Sequence, residues 1–94
     1  MFVVLLKFAD KAKAAEQMEG HKAWLQQGFD DGVFALAGSL QPGLGGGILA
    51  QGTSLEALQA RVAADPFVAA GVVTAEILEI TPSRTDERLS FLAA

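Results

Sequence analysis

The chain has 94 residues, room for one domain but not two, with a core over about residues 1–80 and a tail at 81–94. Seven Lys and Arg stand against eleven Asp and Glu, a formal charge of -4 with no basic patch, which argues against a nucleic-acid partner. Cysteine is absent, which excludes disulfides, thiol catalysis and cysteine metal sites, and the apolar opening MFVVLLKFAD has strand length rather than signal or membrane-span length; the expectation is a cytoplasmic protein with no membrane partner.

Residues 2–8, FVVLLKF, form an unbroken apolar run that reads as a strand. Phe2, Val4, Leu6 and Phe8 fall on one face, Val3 and Leu5 on the other. From 11 to 28 the period changes. Ala14, Met18, His21 and Leu25 share one arc of a helix, with Asp10 as its N-cap and Gly28 as its stop. Gly20 within that helix costs about 1 kcal/mol relative to alanine, which a closely passing neighbour would justify. DDG at 30–32 is a turn, VFALAGSL at 33–40 a second strand, QPGLGGG a glycine-rich turn and ILAQG a third strand, the two strands forming an antiparallel hairpin.

TSLE at 53–56 matches a capping box, with Thr53 capping and Glu56 reaching back, ahead of a second helix whose buried seam is Leu55, Leu58 and Val62. GVVTAEILEI at 71–80 is a fourth strand with Val73, Ala75 and Ile77 on one side, ended by Pro82. The tail is charged and then apolar at Leu89, Phe91 and Leu92, a pattern suited to folding over a neighbouring surface.

The order β-α-β-β-α-β is the ferredoxin-like split arrangement, an α+β fold. Right-handed crossovers put both helices on one face of a four-stranded antiparallel sheet. The first strand is apolar on both faces and 51% of the chain is hydrophobic, so the uncovered face calls for a partner. The expected product is a homodimer through the sheet, of the dimeric α/β-barrel type.

GLGGG lacks the lysine and Ser/Thr of a phosphate loop and precedes a strand, so it reads as a hairpin turn. His21, the one histidine, lies at the edge of the buried arc of the first helix, where it is either a structural side chain or a proton carrier. A lone histidine without cysteine or clustered carboxylates makes a poor metal site, so neither metal nor cofactor is expected. Asp65, in DPFVAAG, suits an N-cap with Pro66 at the first helical position and Gly71 as the stop. It also stands three residues beyond Val62, where a carboxylate can orient an imidazole brought over from the first helix. Ser39, in AGSL, is a hydroxyl for the same cavity or an ordinary turn residue; Trp24 walls a pocket or simply packs.

MFVVLLKF, GHKAWLQQ, DDGVFALAGSL and above all SLEALQARVAADPFVAAGVV together resemble the YciI-like (YCII-related) family of small dimeric α+β proteins, over roughly residues 1–80. The resemblance implies a ferredoxin-like fold, dimerisation through the sheet, and a histidine–aspartate pair that falls here on His21 and Asp65. Relatives commonly carry proline where this chain has Ser39, so Ser39 is not covered by the resemblance, and the glycine-rich hairpin is shorter than in many of them. Some members act on substituted aromatic rings, including by dehydrochlorination, and similar folds host muconolactone isomerases and small monooxygenases.

Two functions of different class follow. In the first, His21 is a general acid/base oriented by Asp65 and acts without a cofactor on a small organic molecule, a substituted aromatic or a lactone, with Trp24 and Ser39 lining its site. In the second, the chain is a non-catalytic small-molecule-binding or accessory dimer, and the two residues form a structural hydrogen bond.

Overall fold

A computed structural model describes residues 1–93. In chain order it contains β1 (Phe2–Phe8), a 3-10 turn (Lys11–Lys13) leading into α1 (Ala14–Asp30), β2 (Phe34–Leu40), β3 (Gly45–Ala50), α2 (Leu55–Ala63), α3 (Pro66–Ala69), β4 (Val73–Glu79) and a C-terminal 3-10 segment (Glu87–Ala93). The sheet order is β2-β3-β1-β4 and every neighbouring pair is antiparallel. This is the ferredoxin-like α+β arrangement that the element order predicts.

Alternation along β1 sorts the sheet into two faces. Phe2, Val4 and Leu6 are buried, and with Ile48 and Ala50 of β3 they pack against Leu58 and Val62 of α2 and Phe67 of α3. Trp24 and Leu25 of α1 close over the same core, which places the helices on one face. Leu58 and Val4 are wholly buried, so trimming Leu58 to alanine costs about 2–5 kcal/mol through lost transfer energy and the void left behind. The opposite face carries Val3, Leu5, Leu36, Leu49 and Leu78 with no helix over them; Leu36 is 54% exposed and Leu78 46%.

The pairing of β2 with β3 contains one irregularity. Phe34 lies opposite Ala50, yet Leu36 lies opposite Leu49, so Ala35 is an extra residue in β2. A bulge of this kind exchanges the two faces of every residue that follows it. Beyond it Ala37 and Ser39 share the helix side with Ile48 and Gly46, while Leu36 and Gly38 turn to the open side with Leu49 and Gly47.

Several local expectations shift. Gly28 does not stop α1; it is buried inside the helix, where an added Cβ would stand 2.1 Å from the Phe34 ring, and the chain turns instead at Gly32, whose φ is 73°. Asp10 precedes a 3-10 turn and its side chain makes no cap bond; its carbonyl accepts from the Lys13 N–H and its carboxylate lies 3.8 Å from Lys13 Nζ. The second helix is capped by Ser54, which accepts from the Ala57 N–H. That moves the cap one residue past Thr53, so Glu56 falls at the second helical position and no capping box closes. Leu55 thereby becomes the first helical residue and is exposed.

The glycine run is not merely a turn: Gly45, Gly46 and Gly47 are the first three residues of β3 and pair with both β1 and β2. Gly45 has φ 139°, and an added Cβ would meet the Leu6 carbonyl oxygen at 1.9 Å, so no side chain fits there. The tail returns to the N-terminal end of β1, with Leu92 buried and Leu89 and Phe91 exposed. Among the described residues, no helix is long and apolar enough to cross a membrane.

Candidate active site

The site is assembled from two helices that meet end to side. After α2, the chain turns at Ala64 and Asp65 adopts an extended conformation before Pro66 starts α3. Asp65 is the N-cap of that short helix: its Oδ1 accepts from the Phe67 N–H at 3.0 Å, and proline at the first helical position needs no donor. The expected cap is therefore present, and it fixes where the carboxylate points.

Helix α1 comes against α3 at Gly20. A Cβ there would lie 3.1 Å from Pro66 Cγ, so the bare glycine lets the two helices meet without the proline ring having to shift. The next residue is His21, whose Nδ1 is 2.8 Å from Asp65 Oδ1. The Asp65 side chain is 0% exposed and that of His21 13%. The Phe67 ring lies parallel to the imidazole, with centroids 4.0 Å apart and planes 2° apart, holding it flat from one side. A carboxylate oxygen only accepts, so Nδ1 is the donor in this bond, and in the neutral ring Nε2 is then the lone-pair nitrogen. Asp65 Oδ2 is buried without a hydrogen-bond partner, which concentrates the carboxylate's bonding on Oδ1.

His21 forms part of the wall of a cavity of about 340 Å³ between α1 and the sheet. The remaining wall is mostly apolar, with Leu6, Phe8, Ile48 and Phe67 around it, Met18, Lys22 and Leu25 along α1, and Ser39 and the glycines of β3 on the sheet side. The volume falls at the small end of the range for ligand sites, about 300–1,000 Å³. An imidazole held by a buried carboxylate at the edge of an apolar cavity can take a proton at Nε2 and return it.

Over residues 1–82 the sequence matches the model of the YCII-related domain. The chain belongs to that family. Among solved structures, this YCII-related chain is similar to 5-chloro-2-hydroxyhydroquinone dehydrochlorinase from Burkholderia phenoliruptrix AC1100, in complex with 2,5-dihydroxybenzoquinone. The likeness covers 85% of this chain and 93% of that one, with a TM-score of 0.63 and 15% identity. At that identity the likeness is one of fold. No curated protein matches the chain.

Of the four side chains singled out in this YCII-related sequence, His21 and Asp65 are in contact, and Ser39 faces the cavity that His21 borders. Trp24 is placed differently. Its ring centroid is 5.9 Å from that of His21, but it is not part of the cavity wall; its Nε1 donates to the Arg61 carbonyl at 2.9 Å and its ring meets Phe34 edge-on. That bond ties α1 to α2, reinforced by the Arg61–Asp31 pair at 2.9 Å. Sequence reasoning did not single out Phe67, Lys22 or the glycine wall. Phe67 could have been found as the residue whose N–H an Asp65 cap must bind, and Lys22 from its position four residues after Met18 and three before Leu25 on one helix row. Among the described residues, no three His, Cys, Asp or Glu side chains come together as metal ligands.

Proposed function

We propose that this chain is an enzyme that moves a proton on a small organic molecule, with His21 as general acid/base, Asp65 as its orienting partner and no cofactor. The observation that carries the reading is the 2.8 Å contact between a fully buried carboxylate and an imidazole that borders a cavity. Nε2 takes a proton from an acidic C–H or O–H of the substrate, and the resulting imidazolium is stabilised by the Asp65 charge through Nδ1. The proton then returns to a different atom in an isomerisation, or a leaving group departs with the electron pair in an elimination. Loss of HCl from a chlorinated hydroxylated ring, the reaction named for the dehydrochlorinase that shares the fold, belongs to the second class. Ser39, on the sheet side of the cavity, supplies a hydroxyl for a substrate oxygen.

The reading includes a homodimer. Val3, Leu5, Leu36, Leu49 and Leu78 form an apolar patch on the sheet face without a helix, bordered by Glu76 and Lys7, and a second copy stacked on it would give a closed barrel-like core.

The test is a screen of chlorinated and hydroxylated rings and small lactones, following chloride release and uptake of deuterium from solvent. A turned-over compound is then given to His21→Ala. The expected loss is on the order of 10²–10⁴ in kcat, with fold and assembly intact. A folded His21→Ala variant that works at the wild-type rate overturns the assignment.

A further inference from the structure

The chain as a whole is acidic, yet the two ionisable side chains in the cavity wall are both basic: His21 and Lys22. No carboxylate lines it. The nearest acid, Asp65, sits behind the imidazole, fully buried and engaged with Nδ1 and the Phe67 N–H. Lys22 is in no ion pair among the described residues; the cation–carboxylate pairs there use Lys13, Arg61 and Arg88. On a chain of net charge -4, an unpaired cation at a cavity is the less expected arrangement.

The position follows from the helix. Met18, Lys22 and Leu25 are spaced four and three residues apart and form one row along the side of α1 that borders the opening. The aliphatic stem of Lys22 continues the apolar rim set by Met18 and Leu25, while its ammonium is exposed to solvent. On the far wall, Gly46 faces the cavity without a side chain, leaving room for a flat apolar body. The site thus has an apolar floor, a proton carrier at one edge and a free cation on the rim.

We propose that Lys22 is the anion-recognising residue of this site, and that the molecule it takes is a compact, ring-sized apolar compound bearing one anionic oxygen group, a carboxylate or an ionised ring hydroxyl. The anionic group sits at Lys22, away from the Asp65 charge, and the apolar ring lies against Leu6, Ile48 and the glycines. This deepens the proposed function in that it takes the same cavity as the substrate site, but it does not require that His21 move a proton.

The experiment measures binding, not turnover. Backbone amide NMR titrations at mildly alkaline pH compare benzoate with benzamide and 4-nitrophenolate with 4-nitroaniline, with the shifts mapped onto Gly45, Gly46 and Gly47. The expected result is a preference of roughly three- to tenfold for the anion in at least one pair, the size of a partly exposed charge pair. The carboxylate pair and the phenolate pair distinguish the two sources of charge. Lys22→Gln removes the preference and Lys22→Arg keeps it. Lys22 is exposed, so neither variant disturbs the core. His21→Asn keeps the preference even when turnover is lost, so failure of the acid/base reading and failure of this one are seen separately. The inference is overturned if no probe binds at millimolar concentration, if wild type shows no preference for either anion, if Lys22→Gln retains it, or if Lys22→Arg loses it.

Discussion

Replacing Asp65 tests the structure of the pair independently of any substrate. Both hydrogen bonds of its side chain fall on one atom: Oδ1 accepts from the Phe67 N–H at 3.0 Å and from His21 Nδ1 at 2.8 Å. Asp65→Ala removes both. The lost helix cap costs about 1 kcal/mol, and the lost bond from the imidazole to a charged acceptor about 1.5–3 kcal/mol. The sum is about 2–4 kcal/mol, a large share of the stability of a small domain, roughly 5–15 kcal/mol. Asp65→Asn behaves differently. An amide oxygen at the Oδ1 position accepts both bonds, and the amide nitrogen falls where Oδ2 now lies, buried without a partner. Its cost is therefore that of one unsatisfied buried donor, about 1–3 kcal/mol, with the imidazole still held through Nδ1. Urea denaturation gives the two stabilities, and long-range ¹H–¹⁵N spectra of the His21 ring report the tautomer. The expected outcome is a larger loss for alanine than for asparagine, with the Nδ1–H form retained in asparagine alone. An alanine variant within about 0.5 kcal/mol of wild type, or a His21 tautomer indifferent to both changes, refutes the reasoning.

Gly28→Ala places a Cβ 2.1 Å from the buried Phe34 ring; overpacking of about 1–3 kcal/mol exceeds the roughly 1 kcal/mol gained in helix propensity, and thermal melts will show a less stable protein. The Asp31 carboxyl is held below its ordinary pKa of 3.8, first by the hydrogen bond from Gln27 and then by that from Arg61. A depressed folded-state pKa contributes stability that is complete above 3.8 and is lost as pH falls through the lowered value, so Asp31→Asn is slightly less stable than wild type at neutral pH and the difference closes in acid, read by melts across pH. Leu36→Lys puts a charge into the apolar patch of the open sheet face, on its edge strand β2; sedimentation is expected to show dimer dissociation strengthened by roughly tenfold or more, and a wild-type chain that sediments as a monomer at high concentration overturns the dimer.

The element order and the inward face of β1 were legible because each rests on a local period. Phe2, Val4 and Leu6 alternate, and the structure buries all three. The site was legible in a different way. The DPF stretch showed Asp65 as a cap from its own chemistry; its place three residues beyond Val62 left a meeting with His21, 44 residues away, open, and the family resemblance chose it. Where the reading slipped, two local solutions were nearly equal and tertiary packing chose. Thr53 and Ser54 are both competent caps, and the chain used the second, which fixes Ala57 rather than Glu56 at the bonded position. Gly28 has the composition of a helix stop, but its reason for being there is the Phe34 ring, a residue of the next strand. Trp24 has the composition of a pocket wall, but its indole N–H found the Arg61 carbonyl.

The least legible feature is also the one that makes the cavity. Strict alternation inward from Phe34 would carry Leu36 and Leu40 toward the helices and Ser39 to the open face. The additional residue at Ala35 reverses this. Ala37 and Ser39 face inward instead, and two large leucines are removed from the space under α1. Across from Ser39 and Leu6 the partner on β3 is Gly46, which contributes no side chain to refill it. One layer further along the sheet, Val4 and Ile48 are buried against the helices, while Ala37 stays exposed and, with Ile48, still borders the cavity. The space beside Leu6 and Ser39 is therefore opened by a bulge and a glycine on adjacent strands. The same bulge sends Leu36 to the uncovered face, so one extra residue both makes room beside His21 and adds to the apolar surface on which a second copy is proposed to stack.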